Sequence, residues 1–383
     1  MYIMGNQEVE AVRQVVNSGR LFRYHGGKLG SFTGRFEQSF ADKIGTRYAI
    51  GTSSGTASLV TALAALGVGP GDEVIVPGYT FIATALAPIP VGAVPIIADV
   101  DESLTLDPAD LARKITRHTK AIIPVHMLGL PANLAPILKI AKKHGIPVLE
   151  DAAQACGGSY RGHRLGSLGK AGAFSFNHYK IIACGEGGAI ATSDKAVFER
   201  ALIYHDCGCS FFSDTAPTVP FFAGINFRIS EVQSAILAVQ LERLDGILAK
   251  LRARKAAMAD ALGKSKRFCL GPVNDVAGDC SSHLAIQFDA AADAAAFVEK
   301  FGGLNPMFRP FDTGRHVYWA WEAILAQRTH HPKLSPWKLS GRKYEYSKDM
   351  LPQTRDILGR TVAIIVPIAN SVGEVRKMAK AMA

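Results

Sequence analysis

The chain of 383 residues has no cysteine framework, no uninterrupted apolar span and no surplus of acid. Its six cysteines are scattered, which excludes the disulfide scaffold of small secreted domains and predicts reduced thiols. Cys207 and Cys209 form a C-x-C beside His205, but no second ligand pair follows at zinc-like spacing, so no metal site is expected. The longest apolar stretch, Thr80 to Val100, is broken by Pro88, Pro90, Gly92 and Pro95 and makes no membrane-spanning helix. The opening Met1-Tyr2-Ile3-Met4-Gly5-Asn6-Gln7-Glu8 lacks the basic-then-apolar pattern of a signal peptide, which points to a cytoplasmic protein. Internal repeats and low-complexity segments are missing as well.

Acids are the minority charge, 33 against 43 lysines and arginines, for a net +10. The excess concentrates in Lys250 to Lys266, with Arg252, Arg254, Lys255 and the nearby Arg267, and again in Lys333 to Lys348. Basic helices bind nucleic acid when a reading motif accompanies them. None does here, so the run reads as a solvated helix face that also attracts anionic substrates, and neither nucleic acid nor membrane is expected as a partner.

What is present suits an α/β enzyme. Hydrophobic residues make up 48% and charged residues 20%, and the length favours two domains over one core. Apolar strand-like runs at Glu73–Val76, Val94–Ile97, Ala121–Val125, Val148–Glu150 and Ala173–Phe176 read as strands buried on both faces. Helical patterns at Leu111–Lys114 and Ala132–Lys143, the latter stopped by Gly145, alternate with them. From Ser230 a long helix is predicted, with Val232, Ile236, Val239, Leu244, Ile247, Leu248 and Leu251 on one stripe, Ser230 as its cap and Glu231 at its positive end. It bridges to a smaller α+β part containing Ala285–Phe288, Ala290–Phe301 and Val362–Val366. The expected division is 1–245 and 246–383, with residues 1–20 packing on the smaller unit.

Four features of the larger part carry chemistry. Ser53-Ser54-Gly55-Thr56-Ala57-Ser58-Leu59 follows the strand-like Tyr48-Ala49-Ile50 and opens an apolar helix, a turn whose free N–H groups suit an anion. Pro77-Gly78-Tyr79-Thr80-Phe81 ends the next strand with an aromatic rim residue, Phe81 or Tyr79, able to stack on a planar ring. Glu150-Asp151-Ala152-Ala153-Gln154 places a carboxylate at the carboxyl end of a buried strand, where α/β sheets bind ligands. Ser175 and Lys180 precede Gly185-Glu186-Gly187-Gly188. A phosphate cradle, a stacking face, a pyridine-nitrogen partner and an imine-forming amine are the parts that pyridoxal phosphate requires.

In these motifs the chain resembles the DegT/DnrJ/EryC1/StrS sugar aminotransferases, strongly over Met4 to Leu251 and more weakly beyond. Ser54, Gly55, Thr56 and Ala57 look like the family's phosphate turn. Phe81 falls at its ring-stacking position, and Pro124-Val125-His126-Met127-Leu128-Gly129 is close to another signature. Ser175 and Lys180 fall at the phosphate-binding and cofactor-linking positions, Asp151 at the partner of the ring nitrogen, and Gln154 near the ring oxygen. Gly224 to Glu231 resembles the segment whose asparagine, here Asn226, reaches the cofactor phosphate of the neighbouring subunit. The resemblance implies a fold-type-I (aspartate-aminotransferase-like) architecture, with a large mixed-sheet α/β domain and a smaller α+β C-terminal domain. It also implies a homodimer with shared active sites and pyridoxal 5'-phosphate as cofactor, its pyridoxamine form arising between half-reactions. The expected activity is ping-pong transfer of an amino group from L-glutamate or L-glutamine to a keto- or aldehydo-sugar, with Lys180 as acid and base. Asn177-His178-Tyr179 departs from the frequent His-Pro-Thr. The C-terminal Leu351-Pro352-Gln353-Thr354 to Ile365 and the early Arg20-Leu21-Phe22-Arg23-Tyr24 look like the branch containing 8-amino-3,8-dideoxyoctulosonate transaminases. Two alternatives stand beside this reading. One is a cofactor-dependent sugar dehydratase of the same family, whose known type has histidine in place of the lysine; the other is a non-catalytic cofactor- or nucleic-acid-binding regulator. The loops Ser210–Phe222 and Gly303–Trp337 are expected to choose the sugar, with Phe308, Phe311, Tyr318, Trp319 and Trp321 divided between that site and the core.

Overall fold

A computed structural model describes residues 4–25, 30–208 and 217–383. Strands Tyr48–Thr52, Gly188–Thr192, Ala171–Ser175 and Leu149–Asp151 form one sheet in that order, and Val94–Ala98, Glu73–Pro77 and Thr119–Ile122 form another. Parallel bridges from Ile122 to Val148 and from Val125 to Asp151 join them into a single seven-strand sheet. Gly188–Thr192 pairs antiparallel with both neighbours, and the remaining strands share one direction. Glu73–Pro77, Ala171–Ser175 and Gly188–Thr192 are buried along their whole length, as strands covered by helices on both faces must be.

The period of two divides these strands between two cores. Ile75, Phe174 and Phe176 join one with Phe36 and Phe40, where ring edges meet faces at 4.9–5.6 Å. Val74, Val76, Ala171 and Ala173 face the other, packed against Leu59 and Leu63 of the helix Gly55–Ala65.

The predicted long helix spans Glu231–Leu262. Ser230 Oγ accepts the Gln233 N–H while the Gln233 side chain accepts the Ser230 N–H, closing a capping box. Leu237 to Leu251 pack under the large sheet, whereas Met258, Ala261 and Leu262 enter a third core. There the antiparallel sheet Cys269–Leu270, His283–Gln287, Thr361–Ile365, Met307–Phe308 meets helices Ala291–Phe301 and Val372–Met382. The Ser230→Ala substitution should cost about 1 kcal/mol and lower the thermal midpoint by about 2 °C, read by circular dichroism.

Several expectations change in three dimensions. Val232 and Val239 leave the stripe and pack with Ala11 and Val15, so the N-terminal helix Asn6–Ser18 rests on the first half of the long helix. Glu231 is buried, and its carboxylate accepts the N–H groups of Phe32 and Thr33 at 2.7 and 2.9 Å, capping the helix Phe32–Ile44. The basic run after Lys250 is only partly a solvated face, with Lys250, Lys264 and Lys266 exposed. Lys255 is buried against Asp279, Arg252 donates to the Asp279 carbonyl, Arg254 to that of Asn370, and Arg267 to that of Met382. These cations fasten the helix to the smaller sheet and the C-terminal helix. His205 is buried beside Arg23, while Cys209 lies outside the described residues. Among the described residues no helix is long and apolar enough to cross a membrane.

Candidate functional site

The parallel strands direct their carboxyl ends to one edge of the sheet, and the chemistry-bearing residues leave from there. Ser54 follows Thr52, Gly78 to Phe81 follow Pro77, Asp151 ends its strand and Ser175 ends another. They surround a cavity of about 540 Å³ whose walls also include Lys180. Gly55, Thr56 and Gln154 line it too. Of the predicted cofactor residues, Ala57 and Asn226 stand apart. The Ala57 N–H is taken by Ser54 Oγ at 3.1 Å and its side chain is buried in the helix packing. Asn226 is exposed, and its Oδ1 accepts the Arg228 N–H at 3.2 Å, which leaves its amide hydrogens free to point outward.

At the anion end, backbone crowding replaces side chains. A Cβ on Gly55 would lie 2.6 Å from the Ser175 Cβ, and one on Gly188 would lie 2.4 Å from the Ser54 carbonyl oxygen. Glycine at both positions lets the helix start, Ser175 and the Gly185–Gly188 run converge, with the N-terminus of Gly55–Ala65 opening on the cavity.

The carboxylate pair divides by strand alternation. Glu150 points away and is fully buried, accepting N–H groups of Gly166, Leu168 and Gly169 at 2.6–2.8 Å and meeting His126 Nε2 at 3.1 Å. Asp151 faces the cavity, accepting the Thr84 hydroxyl at 2.8 Å and the Ala153 N–H at 3.1 Å. Burial pushes the Asp151 carboxyl pKa up, against the smaller pull of Thr84, Ala153 and Lys180. Burial likewise pushes the Lys180 amine down, opposed by the charges of Asp151 and Glu186. Among the described residues the Lys180 amine makes no hydrogen bond or ion pair of its own. Gln154 is held by its Oε1, which accepts the Leu128 N–H at 3.0 Å.

Sequence reading missed Thr84, Arg315 and His316. Thr84 was legible as the i+4 partner of Thr80, to which its hydroxyl is bonded at 2.7 Å. Arg315 and His316 had no local signal. They arrive because 315–318 runs along 78–82, with Ile82 N donating to Arg315 O, Thr80 N to His316 O and Tyr318 N to Gly78 O at 2.9–3.0 Å. His316 thereby tilts against Phe81, ring centres 5.5 Å apart, and burial, then Lys180 and Arg315, lower its imidazole to about 4. Of the five C-terminal aromatics, Tyr318 and Trp321 are fully buried core. Phe311 packs on Trp319 at 4.8 Å, and Phe308 lines a side cavity. Residues 209–216 of the expected sugar loop lie outside the described residues.

A half-buried lysine that is unpaired among the described residues, a buried carboxylate and a helix N-terminus around one cavity agree with sequence comparison. The DegT/DnrJ/EryC1/StrS aminotransferase family model matches residues 3–302. The chain belongs to this family. It is 42% identical over 266 residues to L-glutamine:2-deoxy-scyllo-inosose aminotransferase of Micromonospora echinospora, covering 67% of this chain and 63% of that one. To GDP-perosamine synthase of Caulobacter vibrioides it is 43% identical over 225 residues, 58% of this chain and 59% of that one. The matched region thus spans less than two thirds of these curated relatives. The solved structure of 3-amino-5-hydroxybenzoic acid synthase superposes with a TM-score of 0.85 at 28% identity, over 100% of this chain and 97% of that one. The architecture is the aspartate-aminotransferase-like fold of pyridoxal-phosphate enzymes, a large mixed-sheet α/β part with a smaller α+β part.

Proposed function

We propose that this family member is a pyridoxal-phosphate-dependent aminotransferase that moves an amino group from L-glutamine or L-glutamate to a keto- or aldehydo-sugar. The observation that carries the reading is the half-buried Lys180 and the buried Asp151 on one cavity that also takes in the helix start Ser54–Thr56 and Ser175. The first relative's name, which pairs L-glutamine with 2-deoxy-scyllo-inosose, supports an amino-acid donor and a carbohydrate-like acceptor.

The residues fit the cofactor. Asp151 is a carboxylate buried at an energetic cost that a cationic ring N–H offsets, and at the anion end Gly55 and Gly188, where any Cβ would collide, let the helix start approach Ser175 and the Gly185–Gly188 run. Ser54, Gly55, Thr56 and Ser175 would hold the phosphate, Phe81 would cover the ring, and Lys180 would hold the aldehyde. Bound there, the cofactor supplies the electron sink for the charge that develops at the substrate carbon. Lys180 then removes the proton from the donor's α-carbon and returns it, acting as base and acid in turn. Its lowered pKa leaves a larger uncharged fraction near neutrality than an ordinary lysine has. Asp151 keeps the ring nitrogen protonated. The outward Asn226 amide, carried beside the Arg228–Asp206 ion pair, suits a contact with a second copy, so the unit proposed is a cytoplasmic homodimer with shared sites.

The test is the visible spectrum of the protein with pyridoxal phosphate, before and after L-glutamate and then L-glutamine. A band that one donor bleaches supports amino transfer. A band that neither bleaches turns the assignment toward sugar dehydration. The Gly55→Ala substitution, whose Cβ meets Ser175, should weaken cofactor binding by roughly 10- to 100-fold, measured by titrating the apoprotein.

A further inference from the structure

A second cavity of about 330 Å³ opens on the other side of Lys180 and shares with the first the wall formed by Gln154, Tyr179, Lys180 and His316. With the phosphate and ring assigned to the larger cavity, this smaller one is the space left for whatever is attached to the reacting carbon. Its size sits at the low end of the roughly 300–1,000 Å³ typical of ligand sites, room for one side chain or one ring.

Its chemistry is neutral. Among the described residues that line it, Lys180 is the sole charged one, and the walls are Phe308, Met127, Ile181 and Ile365. Its neutral polar lining residues are Tyr79, Gln154, Tyr179, Ser282, His283, Thr313 and His316. The Tyr79 hydroxyl is fully buried and among the described residues has no hydrogen-bond partner, an unmet donor in a place where unmet donors are costly. His283 Nδ1 lies 3.0 Å from Ser282 Oγ, whose own proton goes to the Leu128 carbonyl at 2.9 Å. With the Ser282 proton on the Leu128 carbonyl, the hydrogen is assigned to Nδ1, and His283 Nε2 is then an acceptor with no hydrogen bond among the described residues. Burial, with Lys255 next, pushes this imidazole down to about 4, so the ring is uncharged near neutrality. Among its polar groups the cavity thus includes a neutral donor at Tyr79 and a neutral acceptor at His283.

We infer that this side cavity takes the side chain of the amino-acid donor and reads it as a carboxamide, so that Tyr79 and His283 select L-glutamine over L-glutamate. A carboxamide presents one oxygen acceptor and one NH₂ donor, matching Tyr79 and His283, while its two methylenes suit the apolar walls. The carboxylate of glutamate has no hydrogen to give His283 and would enter without a cation dedicated to it, at the desolvation cost of an unpaired charge. The inference rests on the amino-transfer reading above and goes beyond it by choosing the donor.

The experiment is stopped-flow bleaching of the pyridoxal-phosphate-loaded protein by each donor, in the wild type and in Tyr79→Phe. The wild type should favour glutamine by about tenfold or more, and Tyr79→Phe should reduce the glutamine-to-glutamate ratio of rate constants by roughly 5- to 10-fold. Tyr79→Phe removes an unpaired hydroxyl and keeps the ring, so its thermal midpoint should equal or exceed that of the wild type, which separates lost recognition from lost folding. Glutamate bleaching as fast as glutamine in the wild type overturns the inference, as does a ratio unmoved by Tyr79→Phe; both leave amino transfer standing. Bleaching by neither donor, with the cofactor band present, removes the amino-transfer reading and this inference with it.

Discussion

The Lys180→Ala protein should bind pyridoxal phosphate without the wild-type visible band, and neither L-glutamine nor L-glutamate should bleach it. Amino transfer should fall by a factor of at least about 10²–10⁴, the range for removing a positioned acid–base group. The size of the effect follows from geometry. Lys180 is the cation on the shared wall of both cavities, and burial holds its amine toward the uncharged form that attack and proton removal require. The fold should survive, because among the described residues the amine makes no hydrogen bond or ion pair that the alanine would break. Far-ultraviolet circular dichroism and a melting curve beside the spectrum check this. A variant that is folded yet transfers amine at the wild-type rate would exclude Lys180 from the chemistry.

Asp151→Asn should act on activity and stability in opposite directions. Activity should drop by about 10²–10³, as when one electrostatic partner of a developing charge is lost, because asparagine is neutral and cannot keep a ring nitrogen protonated. Thr84 and Ala153 still find an oxygen to bond, so the local backbone is undisturbed. Stability of the cofactor-free protein should rise. The folded-state pKa of Asp151 is raised above its ordinary value of 3.8, so the folded protein binds this proton more tightly than the unfolded chain does. Its contribution is therefore lost as pH rises from the unfolded-state value through the raised folded-state one, above which the ionised carboxylate is a net cost. The melting advantage of the asparagine variant over the wild type should consequently be largest above the raised folded-state value, shrink as pH falls through it, and be gone by about pH 4. Added pyridoxal phosphate should reverse the order at pH 7, because the wild type alone then gains a charged partner.

The portion of this legible in sequence was local. Strand positions followed from apolar runs, the long helix from its stripe and the Ser230 cap, and the site from Ser54, Asp151, Ser175 and Lys180, each marked by turn residues within a few positions. The readings that changed were about surroundings. Lysine and arginine after Lys250 look solvated until Asp279 and the C-terminal carbonyls are placed beside them. Glu231 sits at the positive end of its own helix as its position suggests, and only the fold brings Phe32 and Thr33 to donate their N–H groups to it. Ala57 reads as part of an anion turn, but a helix of 11 residues begins two positions earlier and the Ser54 hydroxyl takes its amide.

The sequence alone determined the order of strands and helices, and it marked the lysine proposed for the chemistry and the carboxylate that ends a buried strand. Those features are written in residue type at short range, through burial periodicity and turn chemistry. Tertiary structure decided which distant groups face that lysine. The pairing of 315–318 with 78–82 brings Arg315 and His316 to the cavity, and the smaller sheet carries His283 and Phe308 to its other side. No spacing in the chain encodes such meetings, because they depend on how separately formed elements bury their faces against one another.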